Sequence, residues 1–375
     1  MMKYLLFFLF GNFLFAQTVS TYFSDPNAKI TDDVVFDTNG NLYGSDFNGD
    51  SVYKVTPGGI VSTFVSGLNN PNGLAFDSNG NLFVVEYSGA TIHKYDANGL
   101  LLESYPVGPF PSGLIKSFDT DDMIFTLTSN SSVNILTTSG AVIELFQGAP
   151  LNTPVGLAYD EFGNLYSGNY LGREIYKVSN GFTEYVATVP DGGSNSFLAF
   201  ITYGNGQLWG SVFFTGHKIY SINPNGIDDV TLFAGSDQGN ADGDISEATF
   251  DSPSGLVYNN DQNALYISEF TSEGNVRKIE NILSIGDFFL DFSLTLFPNP
   301  VINKLEIEGT SQSNLGKIRI SIYDYSGRLI KTVDRDITNT SFKTSLDISE
   351  LMTGMYLVEV QLENNKSIAK TFIKR

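Results

Sequence analysis

The stretch GNLYGSDFNGDSVYKV, residues 40–55, decides the fold because the chain repeats it. Further copies, one of them degenerate, occupy residues 80–95, 122–136, 163–178, 206–222 and 263–279. The anchor positions 42, 82, 124, 165 and 208 are 40 to 43 residues apart, and the last, 265, follows after 57. A period near 40 residues, built of short alternating strands and Gly-Asn turns, is typical of β-propeller blades and not of helical repeats.

Each unit has room for four short strands. In the second unit we predict them at residues 73–76, 82–86, 91–95 and 100–105. Asn79-Gly80 supplies the positive φ that a tight hairpin between the first two strands needs. Six units fit between residues 30 and 283, so the pattern predicts an all-β fold, a six-bladed β-propeller.

The last unit has no candidate for its fourth strand after Ile279. The N-terminal segment Val19–Tyr22 resembles Val61–Phe64, the fourth strand of the first unit. We therefore predict that the N-terminal strand completes the last blade, which removes the open edge that would otherwise remain between the first and last blades.

The first 16 residues, MMKYLLFFLFGNFLFA, have the features of a signal peptide. Lys3 gives a positive start, an apolar run extends from Tyr4 to Phe15, and Ala16 is a small residue at a plausible cleavage point. The apolar run is too short for a membrane-spanning helix, which needs about 20 residues. We predict cleavage of residues 1–16 and no transmembrane anchor.

Composition and charge exclude several classes of function. The chain has no Cys, so it has neither disulfides nor thiolate metal sites, and its formal net charge of −20 argues against binding to nucleic acid. The charge is uneven: residues 17–289 hold 9 Lys and Arg against 31 Asp and Glu, whereas residues 290–375 hold 11 against 10. This shift predicts a domain boundary near residue 290.

The repeats resemble NHL-type repeats and their relatives among the gluconolactonases and streptogramin lyases. The resemblance is carried by Thr231–Ile279, with LFAGSDQGNADGD, EATFDSPSGLVY, ALYISEF and NVRKI in that order. It implies a propeller over residues 17–289. Such propellers serve as enzymes and as binding platforms alike, so the resemblance leaves the function open.

Residues 290–375 have a different pattern. Ile318, Ile320 and Ile322 alternate with polar residues or Tyr, which predicts a half-buried strand, and Ser326-Gly327 predicts a hairpin turn. The segment is predicted to be a small antiparallel Ig-like β-sandwich.

This segment also resembles the type A sorting domain of type IX secretion cargo. Four motifs carry the resemblance: Phe297-Pro298-Asn299-Pro300, the run at 322–327, the Leu-x-x-Gly-x-Tyr run at 351–356 and the terminal Lys-Arg. The resemblance implies that residues 290–375 bind the outer-membrane translocon. It also implies export through the periplasm to the outside or the outer surface of a Gram-negative cell. The alternative is an Ig-like adhesion module.

Polar residues at the ends of the second strands are the candidate site. Asp46, Glu86, Asn169 and Glu269 occupy this position, which Thr128 and Phe213 take in the other two units, and all face the same end of the predicted channel. We predict that these four residues bind the ligand. Asp46, Glu86 and Glu269, with Asn72 on the same face, form a candidate Ca²⁺ site, since Ca²⁺ takes oxygen ligands. The alternative is that these side chains cap their own turns.

The resemblance to gluconolactonases offers a second metal hypothesis. Pro71-Asn72-Gly73 matches the local motif through which those enzymes bind metal. The equivalent positions in the other units are Asp32, Ser112, Val155, Leu198 and Ser254, and Val155 and Leu198 cannot ligate a metal. His93 and His217 have no convincing match to the His residues of streptogramin lyases, and the chain has no G-x-S-x-G motif. The loop from Asp237 to Asp244 lacks the Glu that would complete an EF-hand.

These patterns favour a secreted or cell-surface propeller that binds a glycan, a peptide or a protein without catalysis. The alternative is a metal-dependent lactonase, hydrolase or streptogramin-lyase-like enzyme. An aromatic channel mouth would favour binding of glycans or peptides, whereas a metal on the same face would favour the enzyme.

Overall fold

The computed structural model describes residues 17–190, 195–282, 292–311, 315–324, 328–362 and 367–375. The chain divides into two compact units, Met1–Ile282 and Leu283–Arg375. The predicted signal peptide and the predicted boundary at 289/290 lie outside the described residues. No helix in the described part of the chain is long and apolar enough to cross a membrane.

Antiparallel sheets make up the first unit, and β1 (Thr18–Phe23) is its first strand. Five of its sheets each take four consecutive strands from the described residues. They are β2 (Val34–Phe36), β3 (Leu42–Ser45), β4 (Val52–Val55), β5 (Val61–Val65); β6 (Pro71–Phe76), β7 (Leu82–Glu86), β8 (Thr91–Tyr95), β9 (Leu101–Pro106); β10 (Pro111–Lys116), β11 (Met123–Leu127), β12 (Ser132–Leu136), β13 (Val142–Gln147); β14 (Pro154–Tyr159), β15 (Leu165–Asn169), β16 (Glu174–Ser179), β17 (Phe182–Thr188); and β18 (Ser196–Gly204), β19 (Gln207–Phe214), β20 (Lys218–Ile222), β21 (Val230–Ala234).

The remaining sheet of this unit joins the two ends of the repeat region. Its later strands are β22 (Gly243–Asp244), β23 (Pro253–Asn259), β24 (Ala264–Glu269) and β25 (Val276–Glu280), in the order β22-β1-β25-β24-β23. Strand β1 pairs with β25, with Val19 opposite Ile279. The predicted closure by the N-terminal strand is therefore confirmed. The insertion before β23 adds the short β22 to the outer edge of β1.

The first strands of the sheets follow one another around a closed circuit. Strand β2 contacts β6, β6 contacts β10, β10 contacts β14, β14 contacts β18, β18 contacts β23, and β23 returns to β2. This arrangement of four-stranded antiparallel sheets is that of a β-propeller. Buried side chains such as Leu42, Leu82 and Leu265 pack between neighbouring sheets.

The predicted hairpin chemistry is present between the first two strands of several sheets. Gly40 and Gly80 have φ values of 77° and 79°. The Asp77 carboxylate accepts hydrogen bonds from the backbone N–H groups of Asn79 and Asn81, both at 2.9 Å. Asp37 does the same in the first sheet. Short polar side chains thus hold the turns that set the register of each hairpin.

The second unit contains strands β26 to β32. They are β26 (Phe292–Phe297), β27 (Lys304–Ser311), β28 (Gly316–Asp324), β29 (Leu329–Ile337), β30 (Ser341–Asp347), β31 (Gly354–Leu362) and β32 (Ser367–Lys374). They form two sheets, β26-β27-β30 and β29-β28-β31-β32, within the described residues. Ile318, Ile320 and Ile322 are buried in the core that these strands share, which confirms the predicted half-buried strand. The predicted turn at Ser326-Gly327 lies outside the described residues.

Candidate functional site

A cavity of about 350 Å³, the mouth cavity, lies where equivalent positions of all the sheets of the first unit converge. Its lining includes Tyr87, which directly follows Glu86 at the end of β7, and the residue at the equivalent position of each other sheet, here called the strand-end set. The strand-end set is Phe47, Tyr87, Thr128, Tyr170, Phe213 and Phe270. Cavities of roughly 300–1,000 Å³ with mainly apolar and aromatic linings are typical ligand sites.

A second group of equivalent residues also lines the mouth cavity. It contains Asn72, near the start of β6, and the residue at the equivalent position of each other sheet, and is called the first-strand set. The first-strand set is Asp32, Asn72, Ser112, Val155, Ala199 and Ser254. Asp32 is the one member that carries an ionisable group.

The observed strand pairing corrects two of the sequence alignments between repeats. Pro71 pairs with Glu86, and the corresponding pairs in the third and fifth sheets are Pro111 with Leu127 and Leu198 with Val212. Leu127 and Val212, not Thr128 and Phe213, are therefore the equivalents of Glu86. By the same register Ala199 replaces Leu198 as the equivalent of Asn72, and it too cannot ligate a metal.

Aromatic contacts connect most of the strand-end set into one surface. The ring centroids of Phe47 and Tyr87 are 5.4 Å apart, those of Phe47 and Phe270 are 6.0 Å apart, and those of Phe270 and Phe213 are 5.2 Å apart. Tyr170 stacks on Phe197 with a centroid distance of 4.5 Å. The sequence pattern did not indicate that Phe47, Tyr87, Tyr170 and Phe270 line a cavity, although each directly follows a predicted ligand residue.

Asp32 is held firmly at the wall of the mouth cavity. Its backbone N–H donates to the Ser45 carbonyl over 3.1 Å, and its carbonyl accepts from the Ser268 hydroxyl. The Ser254 hydroxyl donates to the Asp32 carboxylate over 2.8 Å. The residue is 5% exposed, and burial raises the pKa of Asp32 to about 7.

Two of the predicted ligand residues fold back over their own turns. Glu86 accepts a hydrogen bond from the Asn69 N–H over 3.0 Å, and Asp46 accepts one from the Thr31 hydroxyl over 3.1 Å. A Cβ added at Gly89 would lie 2.1 Å from Glu86 Oε2, and one added at Gly49 would lie 2.4 Å from Asp46 Oδ2. Glycine at these turns therefore makes room for the carboxylates.

Asn169 and Glu269 are buried and bonded in the same way. Asn169 accepts from the Asn152 N–H over 2.9 Å and donates to the Pro150 carbonyl over 3.0 Å. Glu269 accepts from the Asp251 N–H over 2.9 Å. It also pairs with the fully buried Arg277 at 3.3 Å. Burial raises the pKa of Glu269 to about 7, while Arg277 acts in the opposite direction.

The proposed Ca²⁺ ligands do not share one coordination site in this structure. Of the residues described, no three or more His, Asp and Glu side chains are grouped so that they could hold a metal. Asn72 lines the mouth cavity and accepts a hydrogen bond from the Ser112 hydroxyl over 3.3 Å. Ca²⁺ binding stays a prediction of the sequence, and so does ligand binding by Asp46, Glu86, Asn169 and Glu269.

The two His residues differ in their surroundings. His93 Nε2 lies 3.2 Å from Glu86 Oε2, and its Nδ1 lies 2.8 Å from the Ser104 hydroxyl on the exposed outer strand β9. His217 Nδ1 accepts a hydrogen bond from the Ser252 N–H over 3.1 Å, and burial lowers the pKa of His217. His93 therefore belongs to a chain of polar groups that runs from a buried acid to an exposed Ser.

The motifs of the second unit have clear structural roles. The Asn299 side chain accepts from the Ile373 N–H over 2.9 Å and donates to the Thr371 carbonyl over 3.3 Å, which ties the Pro-Asn-Pro segment to the final strand. The Tyr356 hydroxyl donates to the Met352 carbonyl over 3.0 Å, and the Tyr356 ring stacks on Phe372. The motifs therefore link the beginning and the end of the second unit.

Comparison with known proteins agrees with this division of the chain. The family model described as a secretion system C-terminal sorting domain matches residues 295–375. No curated protein matches the chain in sequence.

Solved structures are similar in fold. An auxiliary nutrient binding protein from Bacteroides ovatus has 16% identity and a TM-score of 0.59, covering 70% of this chain and 76% of its own. A gluconolactonase from Xanthomonas campestris has 19% identity and a TM-score of 0.55, covering 70% and 89%. A virginiamycin B lyase from Staphylococcus aureus has 18% identity and a TM-score of 0.51, covering 66% and 80%.

These matches confirm the sorting domain and the similarity to lactonase-like and lyase-like propellers that the sequence motifs indicated. At such low identity the solved structures establish the fold alone. A sorting domain of this kind implies interaction with the secretion system and export to the cell surface or the extracellular space. The chain is thus a propeller-fold protein that carries a C-terminal type IX sorting domain.

Proposed function

We propose that this protein is a secreted or surface-displayed six-bladed propeller that binds a ligand in the mouth cavity without catalysis. The observation that carries the proposal is the convergence of the strand-end set, five of whose members are aromatic, on one cavity. Aromatic faces bury large apolar areas and stack on sugar rings or peptide side chains. The similarity in fold to nutrient-binding proteins supports the same function.

Export completes the proposal. We infer that residues 1–16 are removed as a signal peptide and that residues 290–375, an Ig-like sandwich, engage the translocon. Removal of residues 290–375 should leave the propeller in the periplasm of the producing cell. Normal appearance of the truncated protein in the medium would contradict the sorting role.

Binding is tested with glycan and peptide arrays probed by the purified chain. Tyr170→Ala and Tyr87→Ala should each lower the affinity for a ligand found in this way by tenfold or more, because each removes a face of the mouth cavity. Phe162→Ala is the matched control, since Phe162 is 75% exposed and lies outside the cavity lining. Equal loss in all three variants would argue against the mouth cavity as the binding site.

The second candidate function is hydrolysis. The contacts of His93 with Glu86 and Ser104 favour it, because a Ser–His–acid chain is the arrangement that activates a Ser nucleophile. Labelling with a fluorophosphonate probe tests this candidate directly. Modification of Ser104 that is lost in His93→Ala would support hydrolysis, and an unlabelled Ser104 would leave His93 as a cross-strand contact.

A further inference from the structure

We propose that the mouth cavity recognises an organic cation, an alkylammonium group, through Asp32 and the aromatic side chains around it. This inference rests on the ligand-binding function proposed above and names the chemical class of the ligand. The lining of the cavity contains one carboxylate, Asp32, and no Lys, Arg or His side chain. The cavity therefore has a negative group without a positive partner.

The Asp32 carboxylate has acceptor capacity to spare. Within the described residues, Ser254 is the one donor to this carboxylate, on Oδ1, although an ionised carboxylate has room for about four hydrogen bonds. Removing such a group from water is costly when it has no partner charge, and its raised pKa is the expected consequence. A cation in the cavity would supply that charge.

The fold itself does not need a carboxylate at this position. The equivalent positions in the other sheets hold Asn72, Ser112, Val155, Ala199 and Ser254, and the sheets form in each case. Asp32 therefore costs stability without a structural reason that the repeat shares. A buried carboxylate that lines a cavity and has no partner charge is a candidate functional group.

The aromatic lining suits an organic cation better than a metal ion. A cation within about 6 Å of a ring centroid is attracted to the face of Tyr, Trp or Phe, and quaternary ammonium groups are bound by aromatic cages in this way. Ca²⁺ instead takes about six to eight oxygen ligands, usually with several carboxylates among them, and this lining holds one carboxylate. Tyr170 lies close enough to Asp32 that the carboxylate contributes, after burial, to raising the pKa of Tyr170 to about 12.

The net charge of the first unit also favours a cationic ligand. Residues 17–289 carry 9 Lys and Arg against 31 Asp and Glu, so the field of this part of the chain attracts cations and repels anions. Contacts between the rings, such as Tyr170 with Phe197 and Phe47 with Tyr87, fix their positions before a ligand arrives. Such preorganisation lowers the entropic cost of binding.

Isothermal titration of the purified full chain at pH 8 tests the proposal with two probes of equal shape. Choline carries a quaternary ammonium group, and 3,3-dimethylbutan-1-ol replaces the charged nitrogen with carbon. Choline should bind at least tenfold more tightly than the alcohol. Asp32→Asn should lower the affinity for choline at least tenfold and leave that for the alcohol unchanged, and the variant should fold because Asn72 occupies the equivalent position in the second sheet.

Moving the charge provides the matched control. The double variant Asp32→Asn with Asn72→Asp returns one carboxylate to the first-strand set and should regain part of the affinity for choline. The titratable groups in the cavity lining are Asp32, Tyr87 and Tyr170, and Asp33 is the neighbouring acid on the same chain segment. Affinity for choline should therefore rise between pH 5.5 and 8 as Asp32 ionises, and Asp32→Asn should abolish this rise.

Three outcomes overturn the inference. One is equal affinity for choline and the alcohol, and another is unchanged choline binding in Asp32→Asn. The third is that choline does not bind, although a ligand found on the arrays binds to the protein and is lost in Tyr170→Ala. That result would leave the proposed binding function intact. Absence of any ligand for the mouth cavity would instead contradict the proposed function itself.

Discussion

Glu86 and Tyr87 are consecutive residues, yet they serve different parts of the molecule. Glu86 turns back to bind the Asn69 N–H and His93, whereas Tyr87 lines the mouth cavity. The same contrast separates Asn169 from Tyr170 and Glu269 from Phe270. Because successive side chains of an extended chain point in opposite directions, one step in sequence divides residues that hold the loops from residues that face the ligand.

The largest effect expected from this contrast is on the loop-holding side. Arg277→Met should lower the free energy of unfolding by about 3–5 kcal/mol, because it leaves Glu269 buried without its partner. Denaturant unfolding measures the loss. Replacing both residues, Arg277→Met with Glu269→Leu, should recover the part of the loss that comes from the unpaired Glu269, whereas the Thr249 and Ala241 carbonyls still lose their Arg277 donor. A double variant as unstable as the single one would argue against the pair as the cause.

Asp32 is an exception to the separation of loop-holding acids from cavity-lining residues, because it is an acid that lines the cavity. Its pKa in the folded chain is about 7, above the ordinary value of 3.8, so the folded state binds more protons than the unfolded state between those pH values. Stability from this group is therefore greatest below pH 4 and decreases as pH rises through 7, by roughly 2–4 kcal/mol. Asp32→Asn should raise stability at pH 8 and reduce this slope. Thermal unfolding measured from pH 4 to 8 tests this prediction. Equal pH dependence of stability in the wild type and in Asp32→Asn would refute it.

A smaller effect should separate Asn169 from its neighbour Tyr170. Asn169→Ala should lower the free energy of unfolding by about 2 kcal/mol, because the Asn152 N–H and the Pro150 carbonyl lose their partner. Ligand affinity measured on the folded fraction should stay unchanged, in contrast to Tyr170→Ala. Loss of affinity in Asn169→Ala would show that the residue contacts the ligand, as the sequence analysis predicted.

The Ca²⁺ prediction concerns the smallest effect, since it calls for weak binding. Glu86 would have to release Asn69 or His93 to coordinate the ion. Calorimetric titration with Ca²⁺ should give heat in the wild-type chain and none in Glu86→Gln if the predicted site exists. Absence of binding heat in both the wild type and Glu86→Gln would show that Glu86 only stabilises its loop.

The sequence predicted the repeat, the strands and the closing role of β1 because each depends on local patterns. The repeat period, the alternation of apolar and polar residues and the Asn-Gly turns can all be recognised from residues close together in sequence. The similarity of Val19–Tyr22 to Val61–Phe64 indicated the missing strand. The sorting motifs were equally local. These features therefore needed no knowledge of how the sheets pack.

The candidate site was harder to predict because it depends on direction and register. Asp46 and Glu86 were predicted as ligands from their chemical type, but their side chains turn towards the glycines of their own loops. A one-residue shift in the fifth repeat hid the equivalence of Ala199 with Asn72. Asp32 was recognised only as an equivalent of Asn72, since nothing in its sequence neighbourhood shows that it is buried.

The pairing of β1 with β25 has a consequence for the order of folding. Of the strands of this unit, β1 is made before its partner β25, so its sheet hydrogen bonds to β25 form only after nearly the whole unit has been synthesised. Contacts so distant in sequence form slowly because the entropy of closing the long loop is lost before they are gained. The unit is thereby biased to remain open until its whole length is available, the state in which a chain can still be threaded across a membrane.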